Sequence, residues 1–301
     1  MAAVLAELDA LIGLEGVKAF LRELVAFLRV QGWRAAAGLG RERVVLHMVF
    51  RGNPGTGKTT VARLVARLFR ALGLLERGHL VEVERADLVG EYIGHTAART
   101  REVVRRALGG VLFVDEAYSL ARGGDKDFGR EATDVLVKAM EDHRDELAVV
   151  LAGYGAEMDR LVQSNPGLRS RLATHLDFPD YTPDQLLRIV EAMAEGRQYR
   201  LTPAARLRIQ EMLRAPGVRP VLSTGNARLM RNLLERALRR QAQRLVRAAD
   251  LAGSPPAPGA LAELCPEDFD VSLRALAGLG TPPPRPREFV LLDPADLAAA
   301  E

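Results

Sequence analysis

At 301 residues, 48% of them hydrophobic and 27% charged, the chain has the apolar content to bury a large core and reads as one large domain followed by a smaller one. Forty-two Lys and Arg against thirty-nine Asp and Glu leave a net charge of +3, too close to balance for a surface that binds nucleic acid by charge alone, so nucleic acid is not an expected partner. The lone Cys265 excludes an intrachain disulfide and points to a reducing cytoplasm, and without an apolar run near eighteen residues or a basic leader, neither a membrane span nor a signal peptide is expected.

Residues 2 to about 37 read as helix, broken at Ile12-Gly13-Leu14-Glu15-Gly16 into a short and a long segment. Val17, Phe20, Leu21, Leu24 and Leu28 form one apolar stripe on the longer segment. The apolar turn at Ile12-Gly13, just upstream of the first strand, stands where a chain could close over an adenine ring.

The stretch from Val44 to Thr60, VVLHMVFRGNPGTGKTT, organises the rest of the chain. Gly52, Gly57, Lys58 and Thr59 satisfy G-x-x-x-x-G-K-[ST], with a β-like run before them and a helical pattern after them. In that helix Val61, Leu64, Val65 and Leu68 share one face. Glycines let successive backbone N–H groups curl around a phosphate, and the helix N-terminus adds partial positive charge. Lys58 is expected to reach the β- and γ-phosphates and Thr59 to ligate Mg²⁺.

Leu80 to Val83 alternates like a strand with one covered face, and Leu88-Val89-Gly90-Glu91-Tyr92-Ile93-Gly94 comes next as a loop too apolar to stay wet unless something docks on it. Thr96 is expected to cap the next helix. Val111-Leu112-Phe113-Val114 then closes in Asp115-Glu116. Continuous apolar runs suit parallel strands covered on both faces, whose carboxyl ends face the ligand, so both acids should sit beside the phosphate loop. One acid can hold a Mg²⁺ shell while the other deprotonates water. Leu147 to Ala152 is a further apolar strand, ending at Gly153-Tyr154. Asn165 to Arg171 is a turn with two close arginines, and Thr174 to Phe178 reads as a fifth strand.

Beyond Thr182 the pattern is helical only, with helices expected at 182–195, 202–214 and 225–247. The stretches 252–260 and 279–287 are rich in Pro and Gly, and a loosely held tail is expected from Gly280 to Glu301. The expected division is N-terminal helices over 1–40, an α/β nucleotide domain over 41–180, a small all-helical lid over 181–272 and a Pro-rich tail over 273–301. A GTPase would need an Asn/Thr-Lys-x-Asp reader, which none of the four lysines supplies. Glu116 next to Asp115 favours hydrolysis over transfer to a bound acceptor.

Four segments carry a resemblance: LVGEYIGHTA (88–97), GGVLFVDEAYSLARGGDKDFGREA (109–132), LAGYGAEMDR (151–160) and NPGLRSRL (165–172). With the phosphate loop, they make the chain resemble an AAA+ ATPase, and within that superfamily the family of stage V sporulation protein K and red-type Rubisco activase, closer to the sporulation branch. The resemblance covers about residues 5 to 250. It implies an α/β P-loop NTPase with a five-stranded parallel sheet flanked by helices, then a helical lid. It implies Mg²⁺-dependent ATP hydrolysis in a hexameric ring that remodels or threads a protein client. Remodelling of inhibited Rubisco and a nucleic-acid-stimulated ATPase stand as alternatives.

By the same resemblance, Gly52, Asn53, Pro54, Gly55, Thr56, Gly57, Lys58, Thr59 and Thr60 match Walker A, and Asp115 and Glu116 match Walker B. Asp115 falls on Mg²⁺ with Thr59, and Glu116 on the base. Ile12 and Gly13 match the adenine-lining segment. Arg171, with Arg169 as the alternative, matches the arginine finger that enters a neighbouring subunit's site. Arg228 in Gly225-Asn226-Ala227-Arg228 matches the sensor-2 arginine, and Tyr92-Ile93-Gly94 match a client-gripping pore loop. Tyr154 stands where the wider superfamily has a sensor-1 Asn, which leaves open which residue positions the attacking water.

Overall fold

Glycine and proline punctuate the chain, and the apolar runs between them settle into alternating helices and strands. The computed structural model describes residues 1–40, 42, 44–90, 92, 94–122 and 128–279. The first half comprises α1 (Ala2–Ala10), α2 (Glu15–Ala36), β1 (Met48–Gly52), α3 (Lys58–Ala71), β2 (Leu80–Val83), the single turn α4 (Arg85–Leu88) and α5 (His95–Ala107). Then come β3 (Val111–Val114), a 3-10 turn over Ala117–Ala121, α6 (Phe128–Asp142), β4 (Ala148–Gly153), α7 (Gly155–Ser164), α8 (Pro166–Arg171) and β5 (Thr174–Phe178).

The five strands form one sheet in the order β2-β3-β4-β1-β5, and every pair is parallel. Pairing starts at Met48, later than the apolar run from Val44, of which Val45 is still exposed. Strand alternation splits the side chains between two cores. Phe50, Phe113 and Val150 pack with α1, α2 and α3 on one face, while Val49, Leu112 and Val149 pack with α5, α6 and α7 on the other. Both faces are covered, as the uninterrupted apolar strands require.

The lid contains α9 (Pro183–Glu195), β6 (Arg200–Leu201), α10 (Pro203–Arg214), α11 (Arg219–Ser223), α12 (Asn226–Ala252), α13 (Pro258–Ala262), β7 (Glu263–Leu264), a 3-10 turn over Pro266–Phe269 and α14 (Leu273–Leu276). Thr182 and Thr202 start α9 and α10 by accepting from Gln185 N–H and Ala205 N–H, each with Pro in the first helical turn. The lid is helical except for the two-residue parallel pair β6–β7. Its packing runs past the expected boundary at 272: Leu273 is buried and Leu276 packs on the same core. Residues 280–301 lie outside the described residues.

One local expectation is corrected. Thr96 does not cap α5; Gly94 holds the cap position in a left-handed conformation, and Thr96 lies inside the first turn with its hydroxyl accepting from Gly90 N–H at 3.0 Å. That bond ties the loop back to the helix. Among the described residues, no helix is long and apolar enough to cross a membrane.

Candidate active site

The turn after β1 needs glycine at two points. Gly55 and Gly57 have φ of +73° and +98°, a left-handed region that side chains with a Cβ occupy at a cost. Gly57 then serves as the N-cap of α3. Lys58 folds back along the loop, its Nζ donating to Gly52 O at 2.8 Å and Asn53 O at 2.9 Å. Thr56 Oγ1 donates to Asn53 O at 2.8 Å. Burial pushes the Lys58 ammonium below its ordinary pKa; the charges of Asp115 and Glu116 oppose that shift and Arg228 adds to it. A half-buried cation whose hydrogen bonds go only to neutral carbonyls is poised for an anion.

Strand order sets what surrounds this loop. Because β4 lies between β3 and β1, the carboxyl ends of three strands converge, and a cleft of about 580 Å³ opens over them. Pro54, Gly55, Gly57, Lys58, Thr59 and Thr60 line it from the loop, Asp115 and Glu116 from the end of β3, Tyr154 from the end of β4 and Arg228 from α12. Ile12 closes the far side with Leu11 and Leu14, opposite Ile189 and Met193 of α9. That end is an apolar slot of the kind that takes a flat ring.

Three of the residues picked from sequence support the cleft without lining it. Gly13 sits behind Ile12, where a Cβ would lie 2.8 Å from Gln185 Nε2 of the lid. Asn53 points its amide to the Asp180 carboxylate, and Thr56 is buried in the loop. Lys18, buried on α2, donates to Leu11 O at 2.6 Å and so anchors the apolar turn.

Asp115 N–H donates to Val83 O, extending the β2–β3 ladder by one residue, and Asp115 Oδ1 accepts from Glu116 N–H at 2.9 Å. Glu116 itself adopts φ 47°, ψ 38°, a left-handed conformation costing a residue with a Cβ about 1–2 kcal/mol. Such a cost persists only where the surroundings hold it, and here it lets adjacent carboxylates take different directions. Tyr118 lines the cleft beside them, its ring 5.6 Å from that of Tyr154, and burial with the nearby Glu116 charge pushes its phenol up to about 12. Among the described residues no cluster of three His, Cys, Asp or Glu could hold a metal. Thr59 and Asp115 supply two oxygen donors, a set that suits Mg²⁺, which keeps phosphate and water oxygens for its other positions.

The arginines of α8 do not reach the cleft of their own chain. Arg171 pairs with Glu141 at 3.1 Å and touches Gly167 O at 3.3 Å and Ser170 Oγ at 3.2 Å. Its Nε is buried without a hydrogen-bond partner among the described residues. Arg169 is exposed. Tyr92 also lies outside the cleft lining, 66% exposed, with the His95 ring 5.5 Å from its own. Gly94 stands two residues on in a left-handed turn, while Ile93, Glu91 and residues 123–127 of the 109–132 segment lie outside the described residues.

Sequence reasoning passed over Asp180, Tyr181, Asn226 and Tyr118. Asn226 stands in the Gly225-Asn226-Ala227-Arg228 segment, whereas Asp180 and Tyr181 look like ordinary residues of a Pro-flanked linker. Tyr181 OH donates to Thr56 O at 3.1 Å, and Asn226 Nδ2 donates to Asp180 Oδ1 at 2.8 Å. Burial raises the Tyr181 phenol above its ordinary pKa, keeping it a donor.

Comparison with known proteins agrees with this architecture. Residues 48–180 match the ATPase family associated with various cellular activities, and residues 182–278 match the AAA lid domain. Stage V sporulation protein K of Bacillus subtilis is 49% identical over 241 residues, covering 80% of this chain and 75% of that protein. The chloroplastic ribulose bisphosphate carboxylase/oxygenase activase of Cyanidioschyzon merolae is 48% identical over 244 residues, covering 80% and 83%. Identity therefore does not separate the two branches. The crystal structure of the FIGL-1 AAA domain in complex with ADP shares the fold, with a TM-score of 0.59 at 22% identity over 96% of this chain and 87% of that one.

Proposed function

The chain belongs to the AAA ATPases, in the family of stage V sporulation protein K and red-type Rubisco activase, so it binds and hydrolyses ATP; from that premise we propose that it works as a hexameric ring that remodels or threads a protein client. One observation carries this reading. Lys58, Thr59, Asp115, Glu116 and Arg228 line one cleft, while Arg169, Arg171 and Tyr92 lie outside its lining. Residues so placed can act on a neighbouring subunit or on a client.

In this reading the amides of Gly55 to Lys58 and the Lys58 ammonium hold the β- and γ-phosphates, and Ile12 with Gly13 shapes the adenine pocket. Thr59 and Asp115 hold Mg²⁺, which would neutralise charge on the phosphate oxygens. Glu116 accepts the proton of the attacking water, and Tyr154, packed on Tyr118, borders that water's position. Arg228 reads the phosphates from the lid. Arg171, or Arg169 in its place, enters the adjacent subunit's cleft and stabilises charge spreading on the γ-phosphoryl group, an effect of about 10³–10⁵ in rate.

The near-equal identity to the Cyanidioschyzon activase supports a second client reading, remodelling of an inhibited carboxylase of that type. Glu116→Gln should bind ATP normally, cut hydrolysis by about 10²–10⁴ as loss of a general base does, and hold its client for identification by pull-down. Tyr92→Ala should retain hydrolysis and lose client remodelling. Remodelling that survives in Tyr92→Ala would remove the threading reading.

A further inference from the structure

The phosphate loop is gripped by Tyr181, in the linker before α9, and by the first residues of α12 in the lid. Three successive carbonyls accept from three donors: Pro54 O from Asn226 Nδ2 at 3.3 Å, Gly55 O from Ala227 N–H at 3.2 Å and Thr56 O from Tyr181 OH at 3.1 Å. A trans peptide is planar, with its C=O and the following N–H pointing in opposite directions. No cis peptide occurs among the described residues. Holding these carbonyls outward therefore turns the N–H groups of Gly55, Thr56 and Gly57 the other way, toward the phosphate seat.

The donors are themselves anchored. Asn226 is fully buried, with φ +45°, a conformation Asn tolerates better than most residues. Its Oδ1 accepts from Tyr181 N–H at 3.0 Å, and its Nδ2 donates one hydrogen to Asp180 Oδ1 at 2.8 Å. The second hydrogen is shared between Pro54 O and Ser223 O, the latter at 3.4 Å. The Asp180 carboxylate accepts in turn from Asn53 Nδ2 at 2.9 Å, closing a loop of bonds back to the residue that opens the turn. Lid and phosphate loop touch so closely that a Cβ on Gly55 would lie 2.0 Å from Gly225 O.

We infer that Asn226 and Tyr181 are positioning residues for the phosphate loop: they aim its amides at the β-phosphate of the nucleotide, so that tight phosphate binding requires the lid to be docked. The inference rests on the ATPase reading of the cleft but is separate from Arg228, which lines the cleft itself. Preorganised amides bind more tightly than amides that must be ordered at the moment of binding. The β-phosphate is present in ATP, in ADP and in the transition state. Loosening its seat should therefore weaken all three alike, which raises KM more than it lowers kcat. Coupling is reciprocal, so bound nucleotide should also hold the lid down.

The test uses the full chain and titrates ATP and ADP separately, alongside steady-state kinetics. Tyr181→Phe keeps the ring and removes one hydrogen bond; about fivefold weaker binding of both nucleotides is expected, with a rise in KM that exceeds any change in kcat. Asn226→Gly keeps the backbone conformation accessible and removes the bridging amide; about 10- to 30-fold is expected. Asn226→Asp sets a second carboxylate beside Asp180 and should weaken binding further. A merely structural role would lower the melting temperature and leave KM and the two affinities in place. Unchanged ATP and ADP affinities in folded Tyr181→Phe and Asn226→Gly would overturn the inference, as would a loss confined to ATP. Wild-type protein that bound neither nucleotide would instead overturn the ATPase reading beneath it.

Discussion

The phosphate loop and the arginine turn at 165–171 are both short, glycine-containing connections at a strand's edge, yet the chain treats them differently. In the loop, Lys58, Thr56 and three consecutive carbonyls all have partners within the same chain. In the arginine turn, Asn165 caps α8 and Leu168 is buried, so the backbone is held. The guanidinium of Arg171 is not matched as well: its buried Nε has no hydrogen-bond partner among the described residues. A group held in place but incompletely satisfied suits a second partner, whereas the loop is finished except for its ligand.

The largest expected effect tests the unfinished region. Arg171→Ala should lower ATP turnover by about 10³–10⁵ while the ATP dissociation constant stays within a few-fold, measured by phosphate release and by titration. Wild-type turnover per subunit should also fall on dilution. Normal turnover in Arg171→Ala would end the contrast between the regions and return the turn to a structural role.

A smaller effect tests the finished region. Gly55→Ala must push a Cβ into Gly225 O, so ATP affinity should fall at least about tenfold if docked lid and formed loop go together. Gly217→Ala is the matched control, since Gly217 has nearly the same φ, +72°, and open space around it. It should lose only the left-handed backbone term, about 1–2 kcal/mol in stability, and leave ATP affinity alone. Equal affinity losses in the two variants would show that backbone strain alone, without lid contact, governs the loop.

The smallest effect lies between the regions. His47 is buried, its Nδ1 accepting from Val149 N–H at 3.1 Å and its Nε2 donating to Met140 O at 2.9 Å. Burial is the main cause that holds its pKa below the ordinary 6.5. The folded state thus binds fewer protons than the unfolded state once pH falls below that value. Its contribution to stability is complete above 6.5 and is lost as pH falls toward the depressed folded pKa, by at most about 1.4 kcal/mol per pH unit. Denaturant midpoints between pH 7.5 and 5 should show this slope, and His47→Gln should flatten it.

Much of the site was legible because its requirements are local. Gly57 and Lys58 must be adjacent for the loop to enter a helix, and Asp115 and Glu116 must come directly after an apolar strand to reach a parallel sheet's carboxyl edge. Thr96 misled for the opposite reason: a Thr before an apolar helix looks like a cap, but its hydroxyl bonds Gly90 N–H, and a glycine in a left-handed turn holds the cap. Asp180 and Tyr181 gave no signal. Their partners lie far away in sequence, and an Asp-Tyr pair in a linker has no pattern that demands those bonds.

The sequence by itself determined the elements and the ligand chemistry, since helix and strand periods, glycine conformations and adjacent carboxylates depend on near neighbours. Tertiary structure alone decided that β4 lies between β3 and β1, which brings Tyr154 between the phosphate loop and the two acids. It alone decided that Asn226 meets Pro54 and Asp180. Those placements arise from the packing of two sheet faces and a lid, a property of all the buried surfaces together rather than of any one stretch.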